Sequence, residues 1–136
     1  MKSKYFKIHE LVPREIYKEK GESAWRYVPK VHIKTLDKLK EHFNQGTMTI
    51  NNYFWKGGKR EWSAGRTKDS KWYSKTSMHS FFQAYDIVFS HYSAEEVRNY
   101  IIDNHHEFSD IGGIELGVSW VHIDFRNTDH LVLFRS

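Results

Sequence analysis

A chain of 136 residues can enclose one core and is too short for two ordinary domains, so a single domain spanning 1–136 is expected. Its nine Phe, eight Tyr and five Trp exclude a disordered or low-complexity chain, which would be poor in aromatics. The absence of cysteine removes disulfides, thiol nucleophiles and zinc–thiolate sites, while the net charge of +4, with 21 Lys and Arg against 17 Asp and Glu, is weaker than a dedicated nucleic-acid binder would show.

Met1 to Lys7 lack the apolar stretch of a secretion signal, and no run of about 18 apolar residues occurs. The expectation is synthesis in the cytoplasm without stable membrane insertion. Residues 1–30, which contain both prolines, Pro13 and Pro29, read as an irregular, partly helical lead-in. Ile33, Leu36, Leu39 or Lys40, and Phe43 have helical spacing, with a stop at Gln45-Gly46. Thr47 to Asn52 carry β-branched residues at alternate positions and read as a strand. Residues 56–78 read as a long loop whose Trp62 and Trp72 argue for order; a connection of that length is usually functional or disordered.

Ala84 to Phe89 read as a buried strand carrying one acid, Asp86, which needs compensation because an unpaired buried carboxylate is costly. Ser93-Ala94-Glu95-Glu96 has the form of a capping box, followed by an apolar helix face of Val97, Tyr100, Ile101 and Phe108. Beyond Gly112-Gly113 come Ile114-Glu115-Leu116, a turn at Gly117, and a strand from Val118 to Phe125. Along it Val121, Ile123 and Phe125 point one way and Trp120, His122, Asp124 and Arg126 the other. With Leu131 to Phe134 as a last strand, the expected fold is α+β, a central antiparallel sheet with flanking helices.

Three segments carry candidate metal ligands: Ser77-Met78-His79, Asp86 seven residues on, and Trp120-Val121-His122-Ile123-Asp124. Two imidazoles and one carboxylate suit zinc with an open fourth position for water. The plainer alternative puts His79 in a surface loop, Asp86 in a salt bridge and His122 in a hydrogen bond within the sheet.

Ser77-Met78-His79-Ser80-Phe81-Phe82-Gln83-Ala84-Tyr85-Asp86 resembles the Ser-x-His-x-x-Gly-x-Ala-x-Asp pattern of the zinc D-alanyl-D-alanine carboxypeptidase-like peptidases. That family includes phage endolysins, vancomycin-resistance dipeptidases and the hedgehog signalling domain. Trp120 to Asp124 resemble its Trp/Phe-Val/Leu-His-x-Asp strand, and Ser63-Ala64-Gly65-Arg66 its Ser-Gly-x-Arg turn. The matching order covers residues 47–126. The resemblance implies a hedgehog/DD-peptidase-like fold and Zn2+ held by His79, Asp86 and His122. It implies that Arg66 binds a peptide carboxylate or carbonyl, with Ser77 hydrogen-bonding in the loop or near the substrate. Phe82 stands where the family has glycine, which reshapes the loop or narrows the cleft, and Ala64 replaces the first glycine of the arginine turn.

Many members carry an acid three residues before the last ligand, where this chain has Ser119. Glu115 is therefore the first choice for the general base, as in the hedgehog-like branch, and Asp124 the second, with ligand orientation as Asp124's other role. The expected activity is hydrolysis of peptidoglycan peptides by a monomer, endolysin-like, released to the cell wall or carried in a virion. The alternatives are a catalytically silent zinc-stabilised wall-binding or virion module and, less favoured, single-stranded nucleic-acid binding through the cations and tryptophans of residues 56–72. The remaining histidines, His9, His32, His42, His91, His105, His106 and His130, are expected to be ordinary surface or helix residues.

Overall fold

The protein is described by a computed structural model over residues 1–50 and 83–135. In chain order it has α1 (Arg14–Lys20), α2 (Lys30–His42), β1 (Met48–Ile50), β2 (Ala84–Phe89), α3 (Ala94–Asp103), β3 (Gly113–Glu115), β4 (Val121–Asp124) and β5 (Val132–Phe134), with short 3-10 turns at Ile8–Glu10, Gly21–Tyr27 and His105–Phe108. No helix among the described residues is long and apolar enough to cross a membrane.

The expected helix over Ile33 to Phe43 is α2. Pro29 precedes its first turn, where a missing N–H costs nothing, and Ile33, Leu36 and Leu39 are fully buried along one face. It stops before Gly46, whose φ of +70° suits a residue without a side chain. In α3 the Ser93 Oγ accepts from the Glu96 N–H at 3.0 Å, satisfying one of the free donors of the first turn. Phe108 belongs to the 3-10 turn after α3 and reaches the same core.

The five strands are ordered β1-β2-β4-β3-β5. Three neighbouring pairs are antiparallel, as expected of the central sheet, but the edge strand β5 runs parallel to β3 and departs from that expectation. The chain reverses after β4, passes β3 and returns on its outer side, so β5 takes the direction of β3. Leu116 N–H donates to the Phe134 carbonyl at 2.7 Å and Val132 N–H to the Gly112 carbonyl at 2.9 Å, closing that edge. The last long strand is also shorter than its alternation suggested, because the chain bends from Gly117 to Trp120 and pairs only from Val121.

Directly paired residues of adjacent strands share a face, so the register sorts the sheet into two sides. Ile50, Ile87, Val121, Ile123 and Ile114 form the apolar side and join the buried residues of α2 and α3 in one core. Phe6, Ile8, Leu11, Val12, Ala24, Trp25 and Val28 belong to the same core, so the N-terminal lead-in contributes to it directly. Ser3 Oγ donates to Asp37 of α2 at 2.5 Å and Lys4 N–H to its other oxygen at 3.0 Å, tying the segment down. The opposite side carries Asp86, His122, Asp124, Gly113, Glu115 and Phe134.

Candidate functional site

The side bearing the polar residues is built by strand pairing alone. Asp86 of β2 is the Cα partner of His122 of β4, Ala84 is the partner of Asp124, and Asp124 is the partner of Gly113 on β3. Glu115 lies two residues beyond Gly113 and so returns to the same face. All four acidic and imidazole side chains are buried: Asp86 8%, Glu115 8%, His122 7% and Asp124 0% exposed.

His122 is the centre of the group. Its Nδ1 is 2.9 Å from Asp86 Oδ1 and 3.7 Å from Glu115 Oε1, while its Nε2 is 3.6 Å from Asp124 Oδ2. Burial works against a charge on this imidazole, but hydrogen bonding and attraction from Asp124 and Asp86 outweigh it and hold the pKa up at about 9. The compensation that Asp86 requires is thus supplied within the protein by His122. Asp124 is pushed upward by its own burial, yet the paired guanidinium of Arg126, with His122, brings it down to about 2.

Asp86 and His122 have the donor chemistry of a zinc site, one carboxylate oxygen and one imidazole nitrogen. Two ligands of a tetrahedral zinc stand about 3.4 Å apart, given metal bonds of about 2.0–2.2 Å. The 2.9 Å separation here would therefore open by about half an ångström to admit the ion. Among the described residues no three His, Asp or Glu side chains are grouped so as to hold a metal. His79, the third expected ligand, lies outside the described residues, as do Arg66, Ser77, Ala64, Phe82 and all of residues 56–78, for which a loop is expected.

Two contributors had no signal in the sequence pattern. Arg98 of α3 is buried, and its Nη1 donates to the carbonyls of Val118 and Trp120 at 2.9 and 3.0 Å. It fixes the bend that delivers the chain into β4, two residues before His122. His32 is a helix residue of α2, as expected, but it is buried, at 3% exposed. Its ring stacks on Phe125 at 4.0 Å, and its Nδ1 lies 3.0 Å from the Tyr85 hydroxyl. Burial drives its pKa down to about 4. Tyr85 and Phe125 are the neighbours of Asp86 and Asp124, so His32 packs under the strands that carry the site.

A cavity of about 440 Å3 opens beside Arg126, with His105, Asp110, Asp129 and His130 in its wall. Asp86, Glu115 and His122 do not line it. Compared with known proteins, the chain matches no family model, no curated protein and no solved structure.

Proposed function

We propose that the protein is a zinc-dependent peptidase that hydrolyses peptide bonds of bacterial peptidoglycan, with a hedgehog/DD-peptidase-like fold and an endolysin-like role. One observation supports this most: Asp86 and His122, separated by 36 residues and named by motif order, have adjacent side chains on one sheet face, with Glu115 against the same imidazole. His79, Asp86 and His122 would hold the ion. Bound there, zinc supplies polarisation of the scissile carbonyl and activation of a water.

The protein groups divide the remaining work. Glu115 accepts the proton of the attacking water and returns it to the leaving amine. Asp124 is less suited to that task because it is fully buried and both of its oxygens are engaged by Arg126. Arg66 would bind a carboxylate or carbonyl of the substrate through its planar set of donors, and Ser77 would hydrogen-bond locally or near the substrate. The excess of cations favours approach to anionic wall polymers.

A second reading, a zinc-stabilised wall-binding or virion module without activity, is favoured by Ser119, a hydroxyl at the position where related peptidases carry an acid. Incubating zinc-loaded protein with purified peptidoglycan, followed by mass analysis of the soluble peptides, separates the two. New amine and carboxyl termini at one defined bond are expected. Zinc binding and wall binding without new termini would instead establish the silent module.

A further inference from the structure

We infer that Arg126 is a positioning residue for the metal centre: by clamping Asp124 it fixes the carboxylate that faces Nε2 of His122 and so reserves Nδ1 for the metal. The inference rests on the zinc reading above, and its geometry lies wholly within the described residues.

The two ring nitrogens of His122 face different carboxylates. Nδ1 is directed at Asp86 and Glu115, at 2.9 and 3.7 Å, and Nε2 at Asp124, at 3.6 Å. Among the described residues, it is Nδ1 that shares its space with another expected ligand, Asp86. A metal-binding histidine commonly gives its other N–H to a carboxylate, which fixes both tautomer and ring plane. Asp124 faces Nε2 at 3.6 Å, an ion-pair distance, and is the carboxylate positioned to take that N–H.

Asp124 can do this only if it is itself held. It is 0% exposed, and a buried carboxylate without a cation would be strongly disfavoured. Arg126 supplies the cation as a fork, with Nε on Oδ1 at 2.8 Å and Nη2 on Oδ2 at 2.7 Å, and its backbone N–H adds a longer contact to Oδ1 at 3.3 Å. This bidentate match sets direction as well as charge. Phe134 supports both ends: the guanidinium lies 4.7 Å from its ring centroid, and the His122 ring meets it edge-on at 5.6 Å.

The neighbouring strand leaves room for the clamp. A Cβ on Gly113 would stand 2.5 Å from Asp124 Oδ1 and 2.6 Å from both Asp124 Oδ2 and Arg126 Nε. No side chain fits there unless the pair moves. Glycine at this position, the exclusion of water from Asp124 and the ring beneath Arg126 all preserve one arrangement.

The test compares wild type, Arg126→Met, Arg126→Lys and Gly113→Ala by zinc affinity, measured in competition with a chromophoric chelator, alongside thermal melting. Arg126→Met keeps the stem of the side chain and loses the fork; it should weaken zinc by roughly ten- to a hundredfold. Arg126→Lys keeps a cation without the fork and should fall between it and wild type. Gly113→Ala, which leaves the arginine but displaces the pair, should weaken zinc in the same direction. In zinc-loaded wild type with 15N-labelled histidine, the nitrogen spectrum should show His122 protonated at Nε2 and metal-bound at Nδ1. Wild-type affinity in Arg126→Met, or metal on Nε2, overturns the inference. If wild type itself binds no zinc, the peptidase reading fails and the inference falls with it.

Discussion

Asp86 and His122 are directly paired across β2 and β4, and their side chains meet at 2.9 Å between Oδ1 and Nδ1. A slip of one residue in that pairing would send one of them to the apolar face. The register is held from both sides, by Ile87, Val121 and Ile123 in the core and by Gly113 beneath the Asp124–Arg126 pair. The site is therefore as specific as the strand pairing that makes it.

Glu115→Gln should keep the fold and the zinc but lose activity, because an amide cannot take the proton. A general base contributes roughly 10²–10⁴-fold, and a fall of that size in kcat on a peptidoglycan fragment is expected. Asp124→Asn should instead weaken zinc and regain much of its rate when zinc is in excess. A lasting loss in Asp124→Asn at saturating zinc, with Glu115→Gln near wild type, would exchange the two roles.

Arg98→Met should destabilise the protein by about 2–3 kcal/mol, the range for hydrogen bonds to a charged group whose carbonyl partners lose their donor. The loss is read from urea unfolding. Because Val118 and Trp120 carry those carbonyls, the bend before β4 should loosen first, with faster amide exchange at Val121 and His122 than in α2. Uniform exchange changes across the sheet would show that Arg98 serves only global stability.

His32 gives the fold a dependence on acid. Its pKa is drawn from 6.5 down to about 4 by burial, so the unfolded chain takes up this proton first as pH falls. Stability from this group is complete above about pH 6.5, declines as pH falls toward 4 and then levels off. The full loss is on the order of 3 kcal/mol. His32→Gln should flatten the corresponding slope in urea unfolding between pH 7 and 5, and an unchanged slope would assign the acid response to other groups.

Features written in local spacing were legible in the sequence. Ile33, Leu36 and Leu39 give α2 its buried stripe, Ser93 marks the start of α3, and alternation through Val121 to Asp124 separates the core from the polar side. Asp86 was also legible as a buried acid in need of a partner. What local spacing does not contain is pairing between distant segments. The meeting of Asp86 with His122, the parallel return of β5 and the insertion of Arg98 at the bend all depend on contacts remote in sequence. The helical placement of His32 is local, but its burial is not: it sits at the flank of the apolar stripe, next to Ile33, and is packed against Tyr85 and Phe125, both distant in sequence. Arg126 was placed on the correct face, but its hold on Asp124 depends on the room left by Gly113.

The most direct measurement is the zinc content of protein loaded with excess metal and then freed of unbound ion. The account predicts about one zinc per chain in wild type, as in a three-ligand site, and a sharp loss in each of His79→Ala, Asp86→Ala and His122→Ala, checked for folding by circular dichroism. Undiminished zinc in a folded His122→Ala protein, or none in wild type, would contradict it.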